Sequence, residues 1–475
     1  MNIVLFHPRG FDAARAGKRV FNLATVLPPL GLASIAAALR KAGHTVTLLD
    51  ANLHATVPND QWAQRIAGLA PAVVGFTATT SGFLDAYDVC RLVKGLSSNI
   101  TTVFGGVHAS WGGARLLEQF EAIDFIIAGE GEQAFVELVE GTSHSRIEGL
   151  HYRNGTACAS GPPRTTLCAM DDLPFPAYDL LKGFPGKYVL PLFSYPRHPA
   201  TSIISSRGCI YRCSYCDRSV FRKGFRWNSP EYTMELVRWL SADYGIRHVA
   251  FYDDLFTLNR ARVARLCGLL RNARLGMTFN CIVRIGHIDL DLIRELKSAG
   301  CWMVNVGIES GDQAMLDSHK EGLRLEDIRR DIELLHAENL WVKGLFMMGF
   351  PGETEESVKK TMTFACSLPL KDANVTAFTP FPGAPVCKGI ASKGDFEDDW
   401  SKMDCVNFVF VPREIGSRAA LEKYYGEFLR TFYHRPFCRK AYRRMLFESP
   451  HSYWRLLKHA GAFLGYARRI GSDQG

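Results

Sequence analysis

Short apolar segments alternate with helical patterns in two separate blocks of this sequence. In the first block, from residue 2 to about 140, helical patterns cover residues 30–41, 60–69 and 83–94. The apolar segments between and around them are NIVLFHP, TVTLLDA, AVVGFTA, TTVFGG and DFIIAG. Continuously apolar strands are buried on both faces, as in a parallel sheet covered by crossover helices. Residues 1–145 are therefore predicted to form a doubly wound, Rossmann-like α/β domain.

The same alternation returns at Thr201 after an irregular stretch. Residues 146–200 are rich in proline, glycine and aromatic residues, which predicts a linker with a short hairpin. Six strand candidates follow: TSIISS, HVAFYDD, MTFNCIVR, WMVNVGIES, VKGLFMMGF and NVTAFTPFPG. Helical patterns such as residues 230–244 and 325–338 separate them. We therefore predict a partial (β/α)6 barrel over residues 201–390 and a helical C-terminal extension over residues 391–475.

Composition narrows the class of protein. Of the 475 residues, 47% are hydrophobic and 22% are charged, which is typical of a folded globular chain and argues against disorder. No uninterrupted apolar run reaches about 18 residues, so no membrane-spanning helix is expected. The N-terminal MNIVLFHPRG lacks the features of a signal peptide. We expect a cytoplasmic protein.

Three of the thirteen cysteines are clustered, and the other ten are scattered singly. Cys209, Cys213 and Cys216 lie in GCIYRCSYC, directly after the first strand of the second block. Three buried cysteines in a turn, or a zinc site completed by a distant histidine, are the alternatives, but zinc sites favour a second cysteine pair and none occurs. Three thiolates at this spacing can ligate three irons of a 4Fe-4S cubane and leave the fourth iron open to a chelating ligand.

The cysteine spacing resembles the CxxxCxΦC signature of the radical S-adenosylmethionine (SAM) superfamily, with Tyr215 as the aromatic residue Φ. The resemblance covers about residues 200–385. It implies that SAM chelates the open iron of a 4Fe-4S cluster, that the reduced cluster donates an electron, and that cleavage yields methionine and a 5′-deoxyadenosyl radical. An external electron donor of the flavodoxin or ferredoxin type would be a partner.

The same resemblance implies SAM contacts at the carboxyl ends of the barrel strands, where barrels carry their chemistry. Asp253 and Asp254 end the second strand, where relatives place groups facing the amino end of SAM. Arg284 ends the third strand and is expected to pair with the SAM carboxylate. Glu309 and Ser310 end the fourth and would meet the ribose. For each residue, an ion pair or a helix cap is the structural alternative.

The first block resembles the cobalamin-binding domain of cobalamin-dependent radical SAM enzymes in PPLGLASIAAALRKAGHTVTLLDAN, GGVHAS and AGEGE. The candidate cobalamin contacts are small or polar residues at strand ends, where ligands of such sheets bind. They are Thr77, Thr79, Gly105, Gly106, His108, Gly129, Glu130 and Gly131. The DxHxxG motif is missing and His108 has the wrong context for it, so the resemblance implies base-off cobalamin with no protein histidine on cobalt, or with a weak ligand. The alternative is a scaffold that retains the fold without the cofactor.

Together these features predict a methyltransferase that acts on an unactivated carbon of a small-molecule or lipid substrate. The first alternative keeps both cofactors but catalyses a non-methylating reaction, such as ring contraction or oxidative cyclisation. The second is an iron–sulfur scaffold or sensor with no catalytic activity.

The C-terminal residues 430–469 are basic and aromatic. Basic amphipathic helices with aromatic side chains can lie in a membrane interface, which predicts weak peripheral contact with the inner face of the membrane. The alternative is a helix pair that packs its aromatic residues on the barrel. Because no RNA-binding module accompanies the segment, no nucleic-acid partner is expected.

Overall fold

The computed structural model describes residues 1–10, 25–221, 224–320 and 322–461. Its first domain contains a seven-stranded sheet of order β2–β1–β3–β4–β5–β6–β7, in which β1 to β5 are parallel. The strands are β1 (Asn2–His7), β2 (Thr45–Asp50), β3 (Val73–Thr77), β4 (Thr101–Gly105), β5 (Phe125–Ile127), β6 (Leu150–Asn154) and β7 (Ala157–Ser160). The predicted doubly wound arrangement is confirmed.

Helices cover both faces of this sheet. They are α1 (Leu30–Lys41), α2 (Asn59–Gly68), α3 (Phe83–Leu96), α4 (Val107–Gly112), α5 (Ala114–Gln119) and α6 (Glu132–Val139). Alternate residues of β1 enter two different cores, with Ile3 and Leu5 in one and Val4 and Phe6 in the other. Because successive side chains of a strand point to opposite faces, an uninterrupted apolar strand is what a sheet covered on both sides requires.

The hairpin predicted within the linker belongs to the first sheet. Strands β6 and β7 are joined by a two-residue turn of Gly155 and Thr156, and Gly155, with φ +65°, supplies the positive φ that tight hairpin turns need at their first central residue. Strand β6 pairs antiparallel with β5, which places Tyr152 opposite Phe125. The sheet therefore continues to residue 160, beyond the boundary predicted near residue 145.

The second domain contains a six-stranded parallel sheet of order β15–β14–β13–β12–β11–β8. Its strands are β8 (Ala200–Ile203), β11 (His248–Phe251), β12 (Thr278–Val283), β13 (Cys301–Glu309), β14 (Trp341–Met348) and β15 (Asp372–Ala377). The helices of this domain are α7 (Pro230–Tyr244), α8 (Arg260–Ala273), α9 (Leu290–Ser298), α10 (Gln313–His319), α11 (Leu325–Ala337) and α12 (Glu355–Ser367). The partial barrel is confirmed. A short antiparallel pair, β9 (Ser206–Arg207) and β10 (Arg226–Trp227), follows β8.

The C-terminal extension contains a hairpin of β16 (Gly394–Phe396) and β17 (Phe410–Pro412), followed by α13 (Arg418–Tyr433), α14 (Pro436–Glu448) and α15 (Pro450–Lys458). Buried polar contacts fix α13 and α14 to the first residue of β15. The hydroxyls of Tyr433 and Tyr442 donate to Asp372 Oδ1 at 2.7 and 2.9 Å, and Lys343 Nζ lies 3.0 Å from Asp372 Oδ2.

Helix α15 lies at the end of the barrel where the strands begin. Arg455 Nη1 donates to the carbonyl oxygen of Leu190 at 2.9 Å, and His451 stacks on His198, which nearly adjoins the start of β8. The carboxyl ends of the strands therefore lie at the opposite end of the barrel from α15.

We predict that Asp372→Ala destabilises the protein and loosens the C-terminal helices. The substitution leaves Lys343 without its buried counter-ion and the Tyr442 hydroxyl without its acceptor on Asp372, whereas the Tyr433 hydroxyl keeps the carbonyl oxygen of Ala373. Removing one partner of a buried charge pair costs about 3 to 5 kcal/mol. Urea denaturation followed by tyrosine and tryptophan fluorescence measures the effect. The matched control is Asp317→Ala, which breaks an exposed pair with Arg324. Equal losses in the two variants would contradict the prediction.

Candidate active site

A cavity of about 380 Å³ opens at the carboxyl ends of the barrel strands and contains all three clustered cysteines. The cysteine loop and the ends of β11 to β14 supply most of the lining. The lining residues with polar or ionisable side chains are Cys209, Tyr211, Cys213, Tyr215, Cys216, Asp217, Arg218, Asp254, Arg284, Glu309 and Lys320. The rest of the lining is apolar or glycine.

Pairing at its base shapes the cysteine loop. Arg207 of β9 pairs with Arg226 of β10, so the chain between them forms a closed loop. Gly208 begins this loop with φ +87°, and a Cβ atom there would lie 2.4 Å from the carbonyl oxygen of Gly224. A side chain is therefore excluded at residue 208. The amide of Gly208 donates to Asp254 Oδ2 at 3.1 Å, which connects the loop to the end of β11.

The three thiols suit a multi-iron cluster. Each of Cys209, Cys213 and Cys216 is partly buried, and burial is the main cause that raises the pKa of Cys209 and raises that of Cys216 to about 12. Neutral thiols become thiolate ligands when iron binds and displaces their protons. Among the described residues, no three histidine, cysteine, aspartate or glutamate side chains converge so that they could hold one metal ion. Separate thiols around one cavity are what a cluster needs, because each ligates a different iron.

Tyr215 belongs to the cysteine loop and packs against the barrel. Its ring contacts Phe350 edge to face, with centroids 5.7 Å apart. Burial is the largest cause that raises the pKa of Tyr215, and the neighbouring Glu309 and Cys213 raise it further. The phenol therefore stays neutral and packs the loop against the strand ends.

Arg284 reaches the cavity from the end of β12 and lies flat on the cysteine loop. Its guanidinium carbon is 3.3 Å from the centroid of the Tyr211 ring, a cation–π contact that orients the side chain. The Tyr211 hydroxyl is in turn 2.5 Å from His287 Nε2. The structure therefore brings Arg284 and Asp254 to the same cavity as the cysteines, as the sequence predicted.

An irregularity in β13 directs Glu309 into the cavity. The register between β13 and β14 shifts between Gly307 and Glu309, and Glu309 has φ +67°, a conformation that is rare for a residue with a side chain. Lys320 Nζ donates to Glu309 Oε1 at 2.7 Å and to the carbonyl oxygen of Gly307 at 2.6 Å. Lys320 was not among the predicted site residues, because it follows helix α10 and belongs to no motif.

Two of the predicted SAM contacts do not line this cavity. Asp253 is fully buried and accepts hydrogen bonds of 2.7 Å from the amide and hydroxyl of Ser205 and the hydroxyl of Ser206. Ser310 is also buried, and its hydroxyl is 3.0 Å from Thr361 Oγ1. Asp253 thus fixes the chain before the cysteine loop, and Ser310 joins β13 to α12.

Most of the candidate cobalamin residues lie around two adjoining cavities at the carboxyl edge of the first sheet. Thr77, Gly106, Gly129, Glu130 and Gly131 line one of about 150 Å³, which is also bounded by the linker and the base of the cysteine loop. Gly105 lines the other, of about 50 Å³, which the apolar side chains of α1 and α6 enclose from below.

Glycine is required along this edge because the protein's own atoms pack closely there. Gly106 has φ +94°, and a Cβ atom there would lie 2.9 Å from the carbonyl oxygen of Ala78. At Gly131 a Cβ atom would lie 3.1 Å from Ile35 Cδ1, inside the cavity. A glycine-lined edge above an apolar slot fits a large cofactor that lies along the strand ends, as cobalamin would.

His108 and Thr79 lie outside both cavities. His108 is 1% exposed, and its ring packs on Phe83 and Trp400 with centroids 4.5 and 4.4 Å apart. Burial lowers the pKa of His108 to about 4, so the ring is neutral. The Thr79 hydroxyl is 3.4 Å from that of Ser81. His108 belongs to an aromatic core that the C-terminal extension completes through Trp400, and Thr79 belongs to a local turn.

Glu130 lines the first cavity, but its carboxylate is bound by the barrel. Arg207 Nη1 lies 2.5 Å from Glu130 Oε2, and Arg226 also pairs with Glu130. The Glu130 side chain therefore makes a contact between the two domains at the edge of this cavity.

Comparison with known proteins identifies the class that this fold and site define. A family model described as B12 binding domain matches residues 18–139, and one described as Radical SAM superfamily matches residues 203–365. An uncharacterized methyltransferase of Pyrococcus horikoshii is 31% identical over 444 residues, covering 92% of this chain and 93% of the relative. The chain is thus a radical SAM protein with a B12-binding domain. It belongs to the cobalamin-dependent radical SAM family.

Two further similarities are lower in identity. The anaerobic magnesium-protoporphyrin IX monomethyl ester cyclase of Rubrivivax gelatinosus is 25% identical, covering 92% of this chain and 78% of the cyclase. The radical SAM methyltransferase TsrM from Kitasatospora setae, solved with cobalamin and a 4Fe-4S cluster, shares the fold with a TM-score of 0.68 and 18% identity over 91% of this chain and 88% of TsrM. The enzyme class, its 4Fe-4S cluster, SAM and cobalamin agree with the sequence predictions.

In the part of the chain that the structure describes, no helix is long and apolar enough to cross a membrane.

We predict that replacing Cys209, Cys213 and Cys216 together with alanine removes the cluster, because the iron ligands are lost. Anaerobic reconstitution followed by iron analysis and absorption spectroscopy should show loss of bound iron and of the brown colour, together with loss of SAM cleavage. The control is Cys158→Ala, which removes a cysteine of the β6–β7 hairpin and should retain full iron content. Full iron content in the triple variant would refute the assignment.

Proposed function

We propose that this protein transfers a methyl group to an unactivated carbon of a small-molecule substrate. The observation that carries the proposal is that Val107 of the first domain lines the same cavity as the three cysteines. Val107 follows Gly106 at the edge proposed for cobalamin. A substrate in this cavity would therefore face both cofactor sites.

The proposed SAM ligands are Asp254, Arg284 and Glu309. A guanidinium suits the SAM carboxylate because its planar fork can donate two parallel hydrogen bonds. Asp254 is positioned near the cysteine loop by the amide of Gly208, and Glu309 is oriented by Lys320. When bound, the cluster supplies the electron that cleaves SAM and cobalamin supplies the methyl group.

The apolar part of the cavity would keep water away from this chemistry. Val220, Phe221 and Leu255 line it beside the cysteine loop, and Ile282 and Leu345 line it from the strands. Carbon radicals need such shielding, because stray hydrogen donors would quench them. Residues 1–145 and 201–390 are the proposed cobalamin-binding and radical SAM domains, joined by the linker at residues 146–200.

The relatives support methyl transfer over the alternative. The Pyrococcus relative, which matches nearly its whole length, is named a methyltransferase, as is TsrM. The cyclase from Rubrivivax gelatinosus supports a second candidate, in which both cofactors serve a non-methylating cyclisation. Its lower identity places this candidate second.

We predict that SAM carrying a labelled methyl group passes its label to the corrinoid bound by the protein. The experiment uses protein reconstituted with iron, sulfide and hydroxocobalamin under reducing conditions, and it needs no substrate. Mass spectrometry of the extracted corrinoid detects the label, and chromatography detects 5′-deoxyadenosine. Label in the corrinoid supports methyl transfer, whereas 5′-deoxyadenosine without label in the corrinoid supports the cyclisation candidate. If neither labelled corrinoid nor 5′-deoxyadenosine forms, both candidates are contradicted.

We further propose an external electron donor of the flavodoxin or ferredoxin type. Ile210 and Arg212 of the cysteine loop are exposed, so the loop reaches the surface. A cationic loop beside a cluster suits a small acidic redox protein, because complementary charge steers association.

We also propose weak peripheral contact with anionic membranes through an apolar surface on α14 and α15. Leu446, Phe447, Trp454 and Leu457 form this surface, and Phe447 and Leu457 are 87% and 73% exposed. Exposed cations of the same helices, including Arg443 and Lys458, complement anionic lipid. Because α15 lies at the end of the barrel away from the cavity, this contact would attach the protein without presenting the cavity to the bilayer.

We predict that the chain co-sediments with anionic liposomes more than with neutral ones, and less at high salt than at low salt. Phe447→Ser combined with Leu457→Ser should reduce binding several-fold, because the exposed apolar anchors are removed. Leu96→Ser, which removes an exposed leucine of the first domain, is the control. Equal and negligible binding to both kinds of liposome would contradict the proposal.

A further inference from the structure

A buried ionic cluster joins the two domains at Arg207. Arg207 Nη1 lies 2.5 Å from Glu130 Oε2, and Arg207 Nη2 lies 2.6 Å from Glu132 Oε1. Ser34 of α1 donates to Glu132 Oε1 at 2.7 Å, and Arg226 pairs with the second oxygen of Glu130. One guanidinium therefore binds two carboxylates of the other domain.

The position of Arg207 connects the two proposed cofactor sites. On the barrel side, Gly208 and Cys209 follow Arg207 directly in the sequence. On the side of the first domain, Glu130 and Glu132 flank Gly131, whose backbone forms part of the edge proposed for cobalamin. A shift of Arg207 relative to these glutamates would therefore change the distance between the cysteine loop and that edge.

The contacts are buried enough to be rigid. The side chains of Arg207, Glu130 and Glu132 are 12%, 11% and 7% exposed. Burial by itself raises the pKa of Glu132, but the charge of Arg207 outweighs it and holds the pKa below its ordinary value. Glu132 is therefore ionised at neutral pH. A lysine cannot replace this arginine, because its single ammonium group does not reproduce the planar fork that meets two carboxylates.

We propose that Arg207 is a positioning residue that fixes the separation between the cobalamin edge and the cysteine loop. The inference rests on the proposed function, because only a reaction that uses both cofactors needs a fixed separation between them. SAM cleavage requires only the barrel, whereas methyl transfer requires substrate to face both sites. Arg207 borders the 150 Å³ cavity, but Glu130 and Glu132 bind its guanidinium, so Arg207 would act through the geometry of the loop and the edge.

The first test measures amide hydrogen exchange in the full chain without cofactors. Arg207→Gln should accelerate exchange at least tenfold in two segments, residues 129–132 and 206–208, while the cores of both domains remain protected. The control is Arg260→Gln, which breaks an exposed ion pair within the barrel and should change neither segment. Unchanged exchange at residues 129–132 in Arg207→Gln would overturn the inference. This test does not depend on catalysis, so it is independent of whether methyl transfer occurs.

The second test measures the magnetic interaction between cob(II)alamin and the reduced cluster by electron paramagnetic resonance. The protein is loaded with hydroxocobalamin and iron–sulfur cluster and then reduced. The strength of the interaction depends steeply on the distance between the two centres. Arg207→Gln and Arg207→Lys should therefore weaken the interaction or broaden the distribution of its strengths, while iron and cobalt contents stay at wild-type levels. An interaction identical to that of the wild type would overturn the inference.

A double variant separates positioning from stability. Arg207→Gln alone leaves the buried carboxylate of Glu132 without a counter-charge, whereas Glu130 keeps its pair with Arg226, and the loss should lower the Tm. Combining Arg207→Gln with Glu132→Gln removes the unpaired charge and should restore part of the Tm. A positioning role predicts that the magnetic interaction stays weakened in the double variant. If the magnetic interaction recovers together with the Tm, Arg207 contributes stability alone and the inference is wrong.

Discussion

The site depends on one topological constraint, which is that parallel strands end at the same edge of a sheet. Both domains are built from parallel βα units, so each collects its loops at one edge, and the two edges meet. This is why Val107 of the first domain and the three cysteines line one cavity. The buried contacts of Arg207 with Glu130 and Glu132 hold the edges together at that point.

The sequence was sufficient to predict the parts of the structure that depend on local pattern. Strands buried on both faces are continuously apolar, so the apolar pattern alone locates both sheets. The cysteine loop was equally clear, because its spacing allows three thiolates to bind one cluster. A short hairpin in the linker was expected, but its pairing partner was not, because a turn such as the one at Gly155 and Thr156 fixes a hairpin and says nothing about which sheet it joins.

The direction of a side chain could not be predicted from the sequence, and it decides which of the predicted residues line the cavities. Asp253 and Asp254 are neighbours, yet hydrogen bonds from Ser205 and Ser206 hold the first in the core while the second faces the cavity. His108 was displaced from the cobalamin edge by packing with Trp400, which is distant in sequence. Lys320 was missed for the same reason, since only the bulge at Glu309 brings the two side chains together.

The most direct test of the two proposed cofactor sites is a structure of the anaerobically reconstituted protein with hydroxocobalamin and SAM. The account predicts a cluster on Cys209, Cys213 and Cys216, SAM beside Asp254, Arg284 and Glu309, and cobalamin along the edge of Gly106, Gly129 and Gly131, with its cobalt facing the cavity that Val107 lines. Cobalamin absent from the first domain, or bound with its cobalt facing away from that cavity, would contradict it.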